Sequence, residues 1–258
     1  MIRHTLALCI PAYNAAEFLP QLLSSAKDQI VPFDEVWVYD DCSSDQTGNV
    51  ARSFGAQVIR GEVNCGCSYG KNYLARQTAC DWIHFHDADD ELHPNFVEQA
   101  HQWIADDTLD VVLFGYEEVA GMNRATNAFD DTALRNDPIG YSIRTHINTI
   151  CGIYRRSSFL AAGGFDLDPL VLYNEDTAMH CQLARAGLAF AADPSVTVIN
   201  YRRTGSMSSA NQAKCTRAQY HVMRKMAEAV GETYADEIAE KLWRIATSSA
   251  SYLDWENV

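Results

Sequence analysis

The stretch "WIHFHDADDELHP", residues 82 to 94, passes from an apolar, aromatic run straight into four acids, Asp87, Asp89, Asp90 and Glu91. Two other acid pairs stand out: Asp40 and Asp41 closing "EVWVYDD", and Glu175 and Asp176 in "LYNEDTAMH". Carboxylates gathered at one place repel, and unless something neutralises them some must take up protons. A hard divalent cation is the natural remedy, because Mg²⁺ or Mn²⁺ prefers oxygen ligands and often uses one or two carboxylates plus substrate phosphates. The alternative for any acidic tetrad taken alone is a solvated turn. His84 and His86 alternate with Phe85 and share one face of a strand, a placement that suits packing or a hydrogen bond near the acids better than metal chelation.

The elements that must position these acids are legible as an alternation. "TLALCIP", "EVWVYDD", "AQVIRG", "DWIHFHD" and "DVVLFGY" read as strands, and "EFLPQLLSSAKDQI", "SSDQTGNVARSFG", "SYGKNYLARQTAC" and "PNFVEQAHQWIAD" as the helices between them. Ser43 or Ser44 is the expected cap of the second helix, and Gly55 its stop. This is an α/β rhythm over about 115 residues. It implies a mostly parallel sheet flanked by helices, with ligands bound beyond the carboxyl ends of the strands, where the first two acid clusters lie together. After Tyr116 a polar, weakly periodic stretch suits an extended or substrate-facing insertion. From about Asn211 two helices follow, the first with Met223, Met226, Ala227 and Val230 on one face and the second with Tyr234, Ile238, Leu242 and Ile245; such stripes read as packing surface.

Composition narrows the function classes. With 258 residues, 47 % of them apolar and 10 % aromatic, the chain can bury a large core. Twenty basic against 34 acidic residues give a net charge of −14, which repels nucleic acid and is unhelpful to an anionic ligand without a cation or a local basic cluster. No apolar stretch approaches the roughly 18 residues of a membrane span, and "MIRHTLALCIPAYN" is too soon interrupted by Pro11 for a signal peptide. The expectation is a cytoplasmic protein with reduced, mostly buried thiols, since its eight cysteines form neither a CxxC pair nor a zinc-type repeat. "GCSYGKN" lacks the spacing of an ATPase phosphate loop.

Four segments, "LCIPAYNAAEFLPQLLSSAKDQ", "VWVYDDCSSDQT", "NCGCSYGKNYLARQTACDWIHFHDADDELHP" and "GGFDLDPLVLYNEDTAMHCQLARAG", together resemble the family 2 glycosyltransferases of the GT-A fold, in their usual order. The resemblance covers about residues 5 to 205. It implies an inverting transfer of a sugar from a nucleotide diphosphate sugar, UDP-linked by expectation, to a glycan or lipid-linked acceptor, with Mn²⁺ or Mg²⁺. By the same resemblance Pro11, Ala12 and Tyr13 line the nucleoside pocket, Asp41 hydrogen bonds the base and Asp40 braces the loop. Asp87 and Asp89 form the DxD pattern that grips metal and diphosphate, Asp89 foremost, with Asp90 an alternative ligand. Asp176 matches the general base that deprotonates the acceptor hydroxyl, and Glu175 beside it is assigned to acceptor binding. The implied organisation is a nucleotide-sugar half over 1–116, an acceptor half of the same GT-A domain over 117–205 and a helical extension over 206–258, with contact at the inner face of a membrane compatible with lipid-linked acceptors.

Two departures from the family pattern bear on the phosphates. Lys71 stands where an arginine is common, a point charge in place of a fork. "YRRTGSMSS" puts Thr204 near the place of a family histidine, so Arg202 or Arg203 is the expected source of positive charge. Rival readings are a degenerate GT-A module that binds sugars without turnover and a phosphatase of the haloacid dehalogenase type. The latter shares a strand ending in DxD but expects Thr or Val four residues after the first acid, where this chain has Glu91.

Overall fold

The computed structural model describes residues 4–207 and 209–249. The chain runs β1 (Leu6–Ala12), α1 (Leu19–Lys27), β2 (Glu35–Asp40), α2 (Thr47–Ser53), β3 (Gln57–Arg60), α3 (Cys67–Gln77), β4 (Trp82–Phe85), β5 (Glu91–Leu92), α4 (Phe96–Trp103) and β6 (Val111–Ala120). It continues through β7 (Asn123–Asn127), α5 (Asp131–Asn136), α6 (Pro138–Arg144), β8 (Gly152–Arg155), α7 (Arg156–Ala161), α8 (Glu175–Arg185), β9 (Phe190–Tyr201), α9 (Gln212–Val230) and α10 (Ala235–Ser249).

One sheet runs β3-β2-β1-β4-β8-β6-β9-β5, with β7 paired to β6. β3, β2, β1 and β4 are parallel neighbours. β8 is antiparallel to both β4 and β6, and β6 is parallel to β9. The parallel rhythm expected from the first 115 residues therefore holds, with an antiparallel strand inserted where the fifth strand would have joined. β1 and β4 are buried along their whole lengths, as strands covered by helices on both faces must be. Phe85 faces Tyr154, Phe159 and Phe165, while His84 faces Phe33 and Phe96, so the two sides of β4 are apolar and aromatic alike.

Two local expectations change. α2 begins at Thr47 after Gln46, not at a Ser43 or Ser44 cap, because both serines are used elsewhere: Ser43 receives the Asn14 N–H and Ser44 donates to the Asn14 side chain. The polar stretch after Tyr116 is a strand pair and two short helices, capped by Asp130 and Asp137. The division at residue 116 falls inside β6, so both halves contribute to one sheet. A second, smaller core of Ile143, Val171, Cys181, Val222, Met223, Met226, Ile238 and Ile245 joins α9 and α10 to α6 and α8. The stripes of the last two helices are packing surface, except that Val222 rather than Ala227 is buried. Ser208 and residues 250–258 of the expected extension lie outside the described residues. Among the described residues, no helix is long and apolar enough to cross a membrane.

Candidate active site

The parallel strands bring the ends of β1, β2 and β4 to one edge, and the loops there are clamped to one another. After β1, the Ala15 N–H donates to Thr47 Oγ1 at 2.8 Å and the Ala16 N–H to Asp45 at 3.1 Å. Pro11 and Ala12 are buried in the strand end and Tyr13 is exposed. α3 is drawn against this edge at Gly70, where a Cβ would come 2.9 Å from the Tyr39 ring and 3.3 Å from Pro11; only glycine permits that approach.

Asp40 is closed off completely. It pairs with Arg60 at 2.5 Å and accepts the Ser43 N–H at 2.9 Å, which is the bracing expected of it. Asp41, expected at the base, is also engaged by the backbone: its two oxygens accept the N–H groups of Cys65 (2.8 Å) and Gly66 (2.7 Å). Gly66, at φ +86°, precedes α3, so Asp41 holds the entry of that helix.

The three acids after β4 divide. Asp87 and Asp89 keep 38 % and 37 % of their side chains open, whereas Asp90 is buried and turned onto β9, accepting from Tyr201 N at 2.7 Å and Asn200 Nδ2 at 2.8 Å. The alternative ligand is thereby a structural anchor; burial and the neighbouring Asp87 push its pKa up to about 8. Burial and Asp87 also raise the pKa of Asp89, the signature of a carboxylate site short of positive charge. Among the described residues, no three His, Cys, Asp or Glu side chains gather into a ready-made metal cage. Two half-open carboxylates whose partners include phosphate oxygens are the donor set by which Mg²⁺ or Mn²⁺ is commonly held, so Asp87 and Asp89 fit such an ion.

Lys71 is not in the cleft. It is 1 % exposed, with its Nζ 3.3 Å from Asp87 and 3.9 Å from Asp176 and 5.3 Å from the Phe165 ring centre. Burial works against its charge, but Asp87 and Asp176 outweigh it and raise its pKa. The cation expected at the phosphates is instead a floor beneath two acids.

Asp176, in the first turn of α8, accepts a hydrogen bond from Thr149 Oγ1. Burial alone would favour its protonated form; Lys71, His146 and the Thr149 bond overcome that and hold its pKa below the usual carboxylate range. A further ring of contacts fixes the backbone beneath it: His180 Nδ1 meets the Asp176 carbonyl at 2.8 Å, His180 Nε2 meets the Tyr154 hydroxyl at 3.0 Å, and that hydroxyl reaches the Thr149 carbonyl at 3.3 Å. Glu175 behaves oppositely. It is buried, accepts from Cys67 Sγ at 3.2 Å, and burial and Asp176 raise its pKa. Its side chain is turned to α3, not outward to an acceptor.

Arg202 and Arg203 also part company. Arg202 pairs with Glu118 at 2.7 Å, on the neighbouring strand β6. Arg203 donates to the Asp89 carbonyl at 2.6 Å and lies across the rings of Phe18 and Tyr201, so it alone of the two belongs to the acid loop. Thr149, Tyr154 and His180 carry no linear signal; they meet Asp176 only through the turn before β8 and the i, i+4 spacing of α8.

A mostly parallel sheet with paired carboxylates at its open edge, faced by a second acid on a later helix, is the GT-A architecture of glycosyltransferases. Residues 7–160 match the model of glycosyl transferase family 2, and the chain belongs to that family. Among similar proteins, an uncharacterized glycosyltransferase of Haemophilus influenzae is 36 % identical over 38 % of this chain. The poly(ribitol-phosphate) beta-N-acetylglucosaminyltransferase TarS of Staphylococcus aureus is 30 % identical over 53 %, and a teichuronic acid biosynthesis glycosyltransferase, TuaG, of Bacillus subtilis is 24 % identical over 50 %. These matches span 34 %, 26 % and 57 % of the relatives' own lengths. The crystal structure of TarS residues 1–349 with UDP-GlcNAc superimposes with a TM-score of 0.75 at 23 % identity, covering 96 % of this chain and 73 % of that one. A mannosyltransferase from Pyrobaculum calidifontis, solved with GDP-Man and Mn²⁺, gives 0.67 at 17 %, covering 98 % and 77 %. The family, with Asp87 held by Lys71 and Glu91 bonded to Gln21 and Tyr201, leaves no place for the phosphatase reading.

Proposed function

We propose that the chain transfers a sugar, with inversion, from a nucleotide diphosphate sugar to the hydroxyl of a glycan or lipid-linked acceptor, Asp176 acting as the base. One observation carries this reading: Asp176 is held ionised by Lys71 and Thr149 within the same cluster as the half-open Asp87 and Asp89. Asp87 and Asp89 would hold Mn²⁺ or Mg²⁺, which when bound supplies the charge that stabilises a departing diphosphate. The residues of the chain do the rest. Pro11, Ala12 and Tyr13, with the turn that Asp41 fixes, form the wall for the nucleoside. Asp176 accepts the acceptor's hydroxyl proton as that oxygen attacks the anomeric carbon, and the Thr149 hydrogen bond keeps the receiving carboxylate in one orientation. Lys71 offsets the repulsion between two acids that must both stay ionised.

UDP is the favoured nucleotide, on the likeness to TarS, which was solved with UDP-GlcNAc and with UDP. The setting is polymer or glycolipid assembly at the bacterial surface, in keeping with the names of TarS and TuaG, and the cytoplasmic side is carried over from the sequence reading. The intact Asp89 and Asp176 favour an enzyme over a sugar-binding module. A thermal-shift panel of UDP- and GDP-sugars, each with Mn²⁺ and with chelator, tests the reading. Stabilisation by a nucleotide sugar that needs the ion supports it, and a flat panel rejects it.

A further inference from the structure

A cavity of about 80 Å³ opens between the start of α8, α9, α10 and the segment before Thr149, and one of its lining residues, His146, also acts on the charge of Asp176. Its polar lining is His146, Asn174, Thr177, Gln219 and Lys241, over Met223. The Lys241 ammonium donates to the Arg144 carbonyl at 3.4 Å and has no carboxylate within 4.0 Å among the described residues. The acid one turn before it, Glu237, is taken by Arg144 at 3.3 Å. Lys241 is also partly desolvated, and burial lowers its pKa, so its charge stands in the wall of the cavity without a counter-ion. Asn174 and Thr177 place the first turn of α8 there, with the Thr177 hydroxyl bonded to the Asn174 side chain at 3.0 Å and His146 Nδ1 3.4 Å from that hydroxyl. His146 has an exposed edge, although crowding around its ring lowers its pKa.

We propose that this cavity is an acceptor-side subsite for a phosphate group, so that the acceptor carries a phosphate close to the hydroxyl that Asp176 deprotonates. The inference rests on the glycosyl-transfer reading and extends it to the class of acceptor. The volume is far below the roughly 300–1,000 Å³ of drug-sized sites; it suits one small group and neither a nucleotide nor a sugar ring. Lys241 and the Gln219 and Asn174 amides bring donors to the lining from three separate elements, α10, α9 and the start of α8, which suits an oxyanion with several acceptor oxygens. The positive end of an eleven-residue helix adds to them. The nearby acid is Asp176, which faces Lys71, Thr149 and His146; the other acid of the pair, Glu175, is turned to Cys67. In a chain of net charge −14, a cation without a carboxylate partner, linked to Asp176 through the intervening His146, is a selective device: a phosphate anchored there fixes which hydroxyl of a repeating acceptor reaches Asp176. Apart from His146, the cavity is built beyond residue 160, outside the family match.

The test is a titration of the full chain, labelled at histidine, with inorganic phosphate, following the ring signals of His146, which His146→Gln identifies. Saturable shifts are expected in wild type, weakened about tenfold in Lys241→Gln, as for loss of one charged hydrogen bond, and restored in Lys241→Arg. Melting curves of both variants establish that they are folded. Acetate is expected to bind more weakly than phosphate. Unmoved His146 signals, equal binding by folded Lys241→Gln, or equal response to acetate would each overturn the proposal. UDP binding, measured separately by calorimetry, reports on the donor reading: loss of UDP binding with phosphate binding intact would strike the proposed function and leave the anion site standing.

Discussion

The ammonium of Lys71 lies 3.9 Å from the carboxylate of Asp176 and is almost wholly shielded from water. A second acid, Asp87, lies 3.3 Å from the same nitrogen. One buried cation therefore ties the acid at the end of β4 to the acid at the start of α8. Breaking a buried pair by removing one partner leaves an uncompensated charge and costs about 3–5 kcal/mol. Lys71→Met is expected to lower the melting temperature by about 6 °C or more, and Lys71→Arg to recover little, since a planar fork does not fit a site shaped for a point charge. Calorimetric melting of the two variants checks this; a melting temperature of Lys71→Met equal to wild type would show the pair to be without structural weight.

Asp176→Asn keeps the shape of the side chain and removes its ability to take a proton. It is expected to fold, to bind nucleotide nearly normally, and to lose turnover by about 10²-fold or more. Glu175→Gln retains an acceptor for the Cys67 thiol and is expected to act mainly on local order. Initial rates with a working donor and acceptor, or donor hydrolysis by water, separate the two. A dead Glu175→Gln beside an active Asp176→Asn would move the base by one residue.

Asp89→Asn is expected to weaken UDP binding in Mn²⁺ by about tenfold or more, as loss of a charged ligand should, and to leave the weak binding in chelator unchanged. Calorimetry with and without chelator measures both. Equal UDP affinity of the wild type in the two conditions would remove the ion from the mechanism.

His180 is buried and neutral, its pKa depressed from 6.5 to about 4 by burial. The unfolded chain then binds more protons than the folded one between those values, so stability is full above pH 6.5 and is lost as pH falls towards 4. For this one group the loss is at most about 3 kcal/mol. Melting temperatures across that range should fall less steeply for His180→Gln than for wild type, and parallel curves would mean that His180 does not titrate on unfolding.

Arg203→Ala is expected to loosen the acid loop and weaken nucleotide binding, whereas Arg202→Ala, which loses only a half-exposed pair with Glu118, should bind UDP within about twofold of wild type. Side-by-side UDP titrations decide it, and equal loss in both variants would contradict the division drawn between them.

That division also marks where sequence reading stops. β1 to β4 and their helices were legible because each carries its own period and its own terminator, and the acids at their carboxyl ends follow from parallel topology. β8 and β9 were not. "GIYR" is too short to declare itself, and β9 carries Pro194 in its middle, tolerated because the β6 pairing shifts register between Phe114 and Tyr116. Which of two adjacent arginines meets the acid loop depends on the facing of a strand end that no motif encodes. Lys71 was visible as a departure from a pattern, but its burial under the site depends on the packing of α3 against Phe165. Asp90 read as one acid among four; its separation from the others is created by Asn200 and Tyr201.

Those last contacts set an order of events during synthesis. The partners of Asp90 lie 110 and 111 residues downstream and the arginine on the Asp89 carbonyl 114 downstream, and β5 pairs with β9. A nascent chain that has emerged as far as residue 116 already holds Asp41, Lys71, Asp87 and Asp89, with the Asp87–Lys71 and Glu91–Gln21 contacts within it, yet Asp90 and the Asp89 carbonyl lack their partners until β9 has been made and threaded beside β6. Contacts so far apart in sequence are slow to form, so a fragment ending before β9 would hold Asp40 and Asp41 in their native contacts while the Asp89–Asp90 turn stayed open to water.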